Sequence, residues 1–307
     1  MSTSIDRRTF IRNIAIAGAA VGMGIALPGC SDDGVDKSAD ASSQREGTAM
    51  SSSGISDATS ASSNGKSEVY FTSEISSASL IAAYSALNHP VSGNVAVKVS
   101  TGEPGGHNFL SPKLIKGLVH KVDGTIVECN TAYGGKRSNT KSHLQAAKDH
   151  GFTDIADVVI MDAKGDIALP VENGKHLKSN YVGKALRDYD SLINLAHFKG
   201  HSMAGFGGVI KNSSIGIASS RGKSLIHTSG ESESGFSGGT QDGFLESMGE
   251  AAKSIADLYG SKIVYINVMN NLSVDCDCSS NPAKPEMKDA PRGTPADPAL
   301  CDGQGGL

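Results

Sequence analysis

From Glu68 to Val268, short runs of strand composition alternate with segments whose apolar residues recur at helical spacing, and that alternation leaves few folds open. Glu68 to Thr72 (EVYFT) and Asn94 to Ser100 (NVAVKVS) read as strands, with Leu80, Ile81, Tyr84 and Leu87 on one helical face between them. Ser111-Pro112 offers a cap and a first-turn proline for a helix whose apolar face is Leu114, Ile115, Leu118 and Val119. Thr125 to Cys129 follows as a strand, Ser138 to His150 as a helix stopped by Gly151, and Val158 to Met161 as a strand. Phe244, Met248, Ala251, Ile255 and Leu258 mark one face of a later helix, and Lys262 to Val268 (KIVYINV) reads as a buried strand. The order predicts an α/β fold: a largely parallel sheet with helices on both faces, in a single domain over 68–288. Ligands of such sheets collect at the carboxyl ends of the strands, here the loops 101–111, 130–138 and 196–212.

The flanks read differently. Arg7 and Arg8 precede an apolar run from Ile14 to Leu27, the pattern of a twin-arginine export signal. The run ends in Leu27-Pro28-Gly29-Cys30, which resembles a lipoprotein processing site with Cys30 as the acylated residue; plain cleavage and release is the alternative. Residues 1–30 are therefore expected to engage the twin-arginine export machinery. The expected location is the cell envelope, lipid-anchored on the outer face of the cytoplasmic membrane or free in the periplasm. Residues 31–67, rich in Ser, Ala and Gly, hold too little apolar surface to offset ordering entropy and read as a linker.

A net charge of −4, with no Trp and few aromatics, argues against nucleic acid as a partner. Chemistry concentrates instead in 194–224. Lys199, Lys211 and Arg221, with His197 and His201, surround a Gly205-Phe206-Gly207-Gly208 turn whose missing side chains would let backbone N–H groups approach an anion. A small anionic ligand or cofactor is the expected partner. Residues 216–224 only superficially suggest a nucleotide phosphate loop, because Arg221 stands where the second glycine belongs; Lys223 then reads as a solvated surface charge. Glu103, in a Gly- and Pro-rich turn, offers a carboxylate to the same region. Cys276 and Cys278 flank Asp277. As thiolates they would suit a soft or borderline metal with Asp275 or Cys129, and a local disulfide or two inert thiols are the plain alternatives.

Several motifs together resemble a family, the domain of unknown function 362, some of whose members are labelled iron–sulfur centre proteins. They are Val95-Ala96-Val97-Lys98 with Gly102-Glu103-Pro104-Gly105, Asn130 through Arg137, His143 with Gly151-Phe152, Lys199-Gly200-His201 with Lys211-Asn212, and Cys276-Asp277-Cys278, within about Val69 to Met287. Many relatives carry a ferredoxin-like insert where this chain has the cysteine-free stretch Gly230 to Gly243, so no ferredoxin-type cluster is expected. The central stretch, His201 to Lys211 with His227, is similar to the nickel-pincer lactate racemases. That resemblance implies His201 as general acid/base, Lys211 as the pincer tether and His227 as a nickel ligand, with Lys136-Arg137 standing where those enzymes have His-Arg. Together the resemblances imply a metal (nickel, iron or zinc) or an anionic cofactor serving a redox or isomerising step. A non-catalytic carrier lipoprotein and a pincer-dependent racemase or epimerase are the alternatives.

Relatives continue past the segment matching Met287 with an apolar strand and an amphipathic helix, whereas 289–307 has no hydrophobic period. The expectation is a truncated or frame-disrupted C-terminus. Resequencing the locus should expose the lesion; an intact upstream frame with a natural stop would contradict it.

Overall fold

The computed structural model describes residues 69–270. Arg7, Arg8, Cys30, Cys276, Cys278 and the tail lie outside the described residues. Helix α1 (Ser77–Ala86) leads into β1 (Val95–Lys98), α2 (Pro112–Lys121), β2 (Gly124–Glu128), α3 (Thr140–Asp149) and β3 (Val158–Ile160). A hairpin of β4 (Asp166–Pro170) and β5 (Ser179–Gly183) follows, then β6 (Ser191–His197) and a second hairpin of β7 (Lys199–His201) and β8 (Gly205–Gly207). Helices α4 (Val209–Ser213), α5 (Ser220–His227) and α6 (Gln241–Tyr259) precede β9 (Ile263–Val268).

Five strands form one sheet in the order β3-β2-β1-β6-β9, every pair parallel. Period-two alternation divides the central strand between two cores. Val95, Val97 and Val99 pack with Leu80 and Tyr84 of α1 and Ile115, Leu118 and Val119 of α2. Ala96 faces the other way, with Leu192, Val182 of the first hairpin and Ile255 and Tyr259 of α6. A third cluster seats Ile226 of α5 against Phe244, Met248 and Ala251 of α6. Each fully buried aliphatic side chain contributes about 1.5–3 kcal/mol, so burial on both faces makes β1, β2 and β6 the rigid centre. Local signals agree with the elements. Ser111 accepts the Leu114 amide at the start of α2, with Pro112 at its first position.

Four expectations fail. Val69 to Thr72 form no strand, and Val69 and Phe71 are 63% exposed; β1 is already paired on both sides, so a preceding strand has no place beside it. The helix expected from Ser138 starts at Thr140, because the Asn139 side chain accepts the Lys141 and Ser142 amides and caps it there. Strand β9, expected to be buried, is the outer strand among the described residues, with Tyr265 44% exposed. On α6 the buried residue near the C-terminus is Tyr259, not Leu258. The hairpin of β4 and β5 carried no strand signal: DIALP and SNYVG mix polar, small and proline residues.

Candidate functional site

The expected loops converge. At the carboxyl ends of β1, β2 and β6 lies a cavity of about 200 Å³, floored by Lys98 and Glu128 and walled by the β7/β8 hairpin, α4 and α5.

Its floor is an ion network. The Lys98 ammonium, 1% exposed, donates to the Val99 carbonyl at 2.6 Å, the Glu128 carboxylate at 3.1 Å and the Asn212 side-chain oxygen at 3.0 Å, so all three protons are used. Glu128 also accepts the Thr101 amide (2.7 Å) and hydroxyl (3.1 Å), and Arg137 stands 3.5 Å away. Burial pushes the Glu128 carboxyl up, but Lys98, His143 and Arg137 outweigh it and hold it well below the usual carboxylate range. Arg137 donates through Nε to Glu103 at 3.0 Å, and Tyr133 donates its hydroxyl to the same carboxylate at 2.9 Å. Burial works against the Arg137 charge, and Tyr133, Glu128 and Glu103 more than restore it, raising its pKa further. Glu103 is thus a holder of Arg137 at the rim.

A pair of asparagines fixes the wall. Asn194, fully buried in β6, donates to the Val209 carbonyl at 2.8 Å and to the Ser213 hydroxyl, gripping α4 at both ends. Asn212 of α4 donates to the Lys98 carbonyl at 3.0 Å and the Asn194 side-chain oxygen at 2.7 Å. Lys211, next along α4, is thereby held at the cavity.

The glycine turn works otherwise than expected. Gly205 supplies the left-handed residue of the hairpin turn (φ +77°) and lies outside the cavity lining. Gly207 does line it, but a Cβ there would stand 3.3 Å from Cε of Lys199 and 3.6 Å from Cδ of Lys211. Its missing side chain makes room for two lysine stems running past the backbone. Gly208, also in the lining, abuts Asn267 and the Phe198 ring.

Among the described residues three histidines line the cavity, His197, His201 and His227, and the backbone sets the tautomers of the last two. His201 accepts the Ala204 amide at Nδ1 (3.0 Å), so its ring proton sits on Nε2. His227 donates Nδ1–H to the Lys223 carbonyl (2.7 Å), which leaves the Nε2 lone pair. Its ring stacks on Phe244 and meets Phe236 edge-on. Burial pushes the His227 pKa down to about 4 despite that hydrogen bond, and Lys211, His201 and Lys223 act in the same direction.

His201, Lys199, Lys211, His227, Gly207, Gly208 and Arg137 therefore share one cavity. Lys136 does not: it is exposed in the 3-10 turn Lys136–Ser138 and outside the lining. Arg221 is turned away, paired with Asp166 at 2.6 Å and lying over the Tyr181 ring. His197, at the end of β6, donates to the Asn270 carbonyl, and its pKa is lowered by burial first. Lys223, expected on the surface, is buried and lines the cavity; its ammonium donates to the Ala218 carbonyl, and burial lowers its pKa. Lys98, Glu128 and Lys223 were missed as site residues. Lys98 and Glu128 had a sequence signal, a charge within or at the end of an otherwise apolar strand; Lys223 had its spacing of four to His227 on one helix.

Of the expected metal ligands, His227 lines the cavity, whereas Cys276 and Cys278 lie outside the described residues. Among the described residues no three His, Cys, Asp or Glu side chains gather as a ligand set. Burial pushes the Cys129 thiol up to about 12, and its Sγ donates to the Ile217 carbonyl at 3.1 Å, so it stands as a neutral thiol.

The family profile of a domain of unknown function (DUF362) matches residues 95–297. The chain belongs to this family. The DUF362 match starts at β1, later than the Val69 suggested by the motifs, and so excludes α1. No curated protein matches. Among solved structures, the lactate racemase apoprotein from Thermoanaerobacterium thermosaccharolyticum is similar at 18% identity over 64% of this chain and 49% of that chain, with a TM-score of 0.41. A protein from Thermotoga maritima is similar at 13% identity over 65% and 53%, with a TM-score of 0.39. The chain thus spans about half the length of each. Likeness at this level says nothing about chemistry.

The ion network yields a pH prediction. The Glu128 pKa in the folded state lies below the unfolded value of about 4.3, so its contribution is present above that pH and lost as pH falls through the folded value. Glu128→Gln should cost about 3–5 kcal/mol at neutral pH, because two buried cations lose their partner, and should flatten the loss of stability below about pH 4. Urea denaturation across pH measures both; an unchanged acid limb would remove Glu128 from the account.

Proposed function

We propose that this DUF362 protein binds a small organic anion in the cavity and that His201 and His227 exchange a proton with it. The observation that carries the reading is the charge of the lining, where among the described residues Lys98, Arg137, Lys211 and Lys223 stand with one carboxylate, Glu128. Cations gathered in a buried site of low dielectric attract an anion far more strongly than the same charges in water. A cavity of about 200 Å³ has room for a small metabolite. The tautomers support proton transfer, since the Ala204 amide leaves the His201 ring proton on Nε2 and the Lys223 carbonyl leaves an acceptor at His227 Nε2. An isomerising step needs both.

The chemistry test uses a panel of small carboxylates in deuterated water. Bound ligand should raise the midpoint of thermal unfolding, by about 2.7 kcal/mol in stability at a hundredfold excess over Kd, and should gain deuterium at an acidic carbon. His201→Ala should keep the fold and the binding but lose the exchange. If the variant alters affinity alone, or no exchange occurs in the parent, the protein is a carrier.

For the flanking segment we propose export by the twin-arginine route and acylation at Cys30, on the strength of Arg7, Arg8 and the Leu27-Pro28-Gly29-Cys30 sequence. Arg7→Lys with Arg8→Lys should retain precursor in the cytoplasm. Cys30→Ser should move the protein from the membrane to the soluble fraction and remove the acyl mass; an unaltered distribution and mass would reject the anchor.

A further inference from the structure

The lining of the cavity is of two kinds. At the strand ends it is ionic, with Lys98, Glu128 and Arg137. Elsewhere it is hydrocarbon: Met203 from the β7/β8 turn, Ile215 just after α4 and Phe236 from the loop between α5 and α6. These three form one wall. Ile215 belongs to the cluster that holds Ile226, Phe244 and Met248, and Met203 packs against that cluster. Phe236 meets the His227 ring edge-on, and His227 stacks in turn on Phe244. The wall is also tied down. The Gln241 side chain, at the start of α6, donates to the Met203 carbonyl, and the Thr228 hydroxyl accepts the Ser232 amide at 2.9 Å at the base of the Phe236 loop. Gly235 and Gly238, at φ +77° and +125°, turn the backbone on either side of Phe236. Met203 and Phe236 are half-buried, so apolar surface stays open to the cavity, and a ligand that covers it with hydrocarbon gains by doing so.

Resting on the anion-binding reading above, we infer that the ligand is an amphipathic organic anion, its anionic group at Lys211 and Lys223 and an apolar substituent against Met203, Ile215 and Phe236. Lys223 spends one ammonium proton on the Ala218 carbonyl and keeps two for a ligand. Lys223 and His227 stand four residues apart on one face of α5, and both line the cavity. A ligand reaching from the Lys223 ammonium to the Phe236 ring therefore passes His227. The wall also discriminates. A second carboxylate or a hydroxyl set against these three side chains gives up its water and finds no hydrogen-bond partner there, which costs affinity. Dicarboxylates and polyol phosphates, which cations alone would attract, are thereby disfavoured.

Calorimetry of the full chain at neutral pH and constant ionic strength tests the wall. The probes are two series, acetate through valerate and methyl through butyl phosphate, together with isovalerate and malonate, which share a shape and differ in the polarity of one end. In the series that binds, affinity should rise about fourfold per added methylene until the cavity is full. Isovalerate should bind roughly tenfold or more tighter than malonate. Which series binds identifies the anionic group. Phe236→Ala should flatten the rise, with Phe236→Leu retaining most of it; Phe236 is half-buried on a loop, so the exchange leaves the core in place. Met203→Gln, which puts an amide where the thioether lies, should flatten it as well. Affinity independent of chain length, malonate as tight as isovalerate or tighter, or a rise untouched by both variants overturns the amphipathic inference and leaves anion binding standing. If none of these anions binds, both fail.

Discussion

A single buried ammonium, that of Lys98, sets the arrangement of everything around it. Strand β1 lies in the middle of a parallel sheet, where a charge without partners would cost several kcal/mol. The chain meets this with three acceptors from three places: its own strand end, the end of β2 and the helix α4. Each acceptor is then committed in its turn. Glu128 gathers Thr101, Arg137 and His143, and Asn212 reaches back to β1 and across to Asn194 in β6. Such a network adds little net stability, because desolvation offsets its attraction. What it supplies is position. The carboxyl ends of three strands, the loop bearing Arg137 and the helix bearing Lys211 cannot shift independently without stranding a buried charge.

That division explains why the cavity holds two kinds of cation. Lys98 and Arg137 are structural, their protons spent within the protein, and they hold a carboxylate at the floor. Lys211 and Lys223 keep donors to offer, and they sit on the short helices that the network pins. The glycines belong to the same scheme. Gly207 lets Lys199 and Lys211 pass close to the backbone, and Gly205 turns the hairpin that carries Lys199.

Much of the scaffold was legible because the physics behind it is local. Periodicity located α1, α2 and α6; Ser111, Pro112 and Gly151 marked helix ends by capping chemistry that depends on neighbouring residues alone. The failures were non-local. Whether Val69 to Thr72 joins the sheet depends on whether β1 has a free side, and β9's exposure depends on its place in the strand order; neither is written in the segment itself. Within the site, His201, Lys199, Lys211 and His227 were legible as a cluster along the chain. Lys223 was misjudged for an instructive reason. A lysine beside serine and glycine looks solvated, and only the packing of α5 on α6, through Ile226, Phe244 and Met248, turns it inward. Lys136 and Arg137 show the converse, since adjacent residues in a 3-10 turn point apart and one alone can enter a cavity.

His201 and His227 give the site its asymmetry. A backbone amide proton held at Nδ1 leaves the His201 ring proton on Nε2, and a backbone carbonyl held at Nδ1 leaves the His227 Nε2 as an acceptor. His227 is a weak base while the cavity holds only cations, since burial and the charges of Lys211, His201 and Lys223 all oppose its protonation. An anion between those lysines acts with the opposite sign: it cancels the charges that depress the ring and raises its affinity for a proton. Burial and cation clustering, which separately look like defects in a protein interior, thereby become conditions under which basicity at His227 follows occupancy of the cavity.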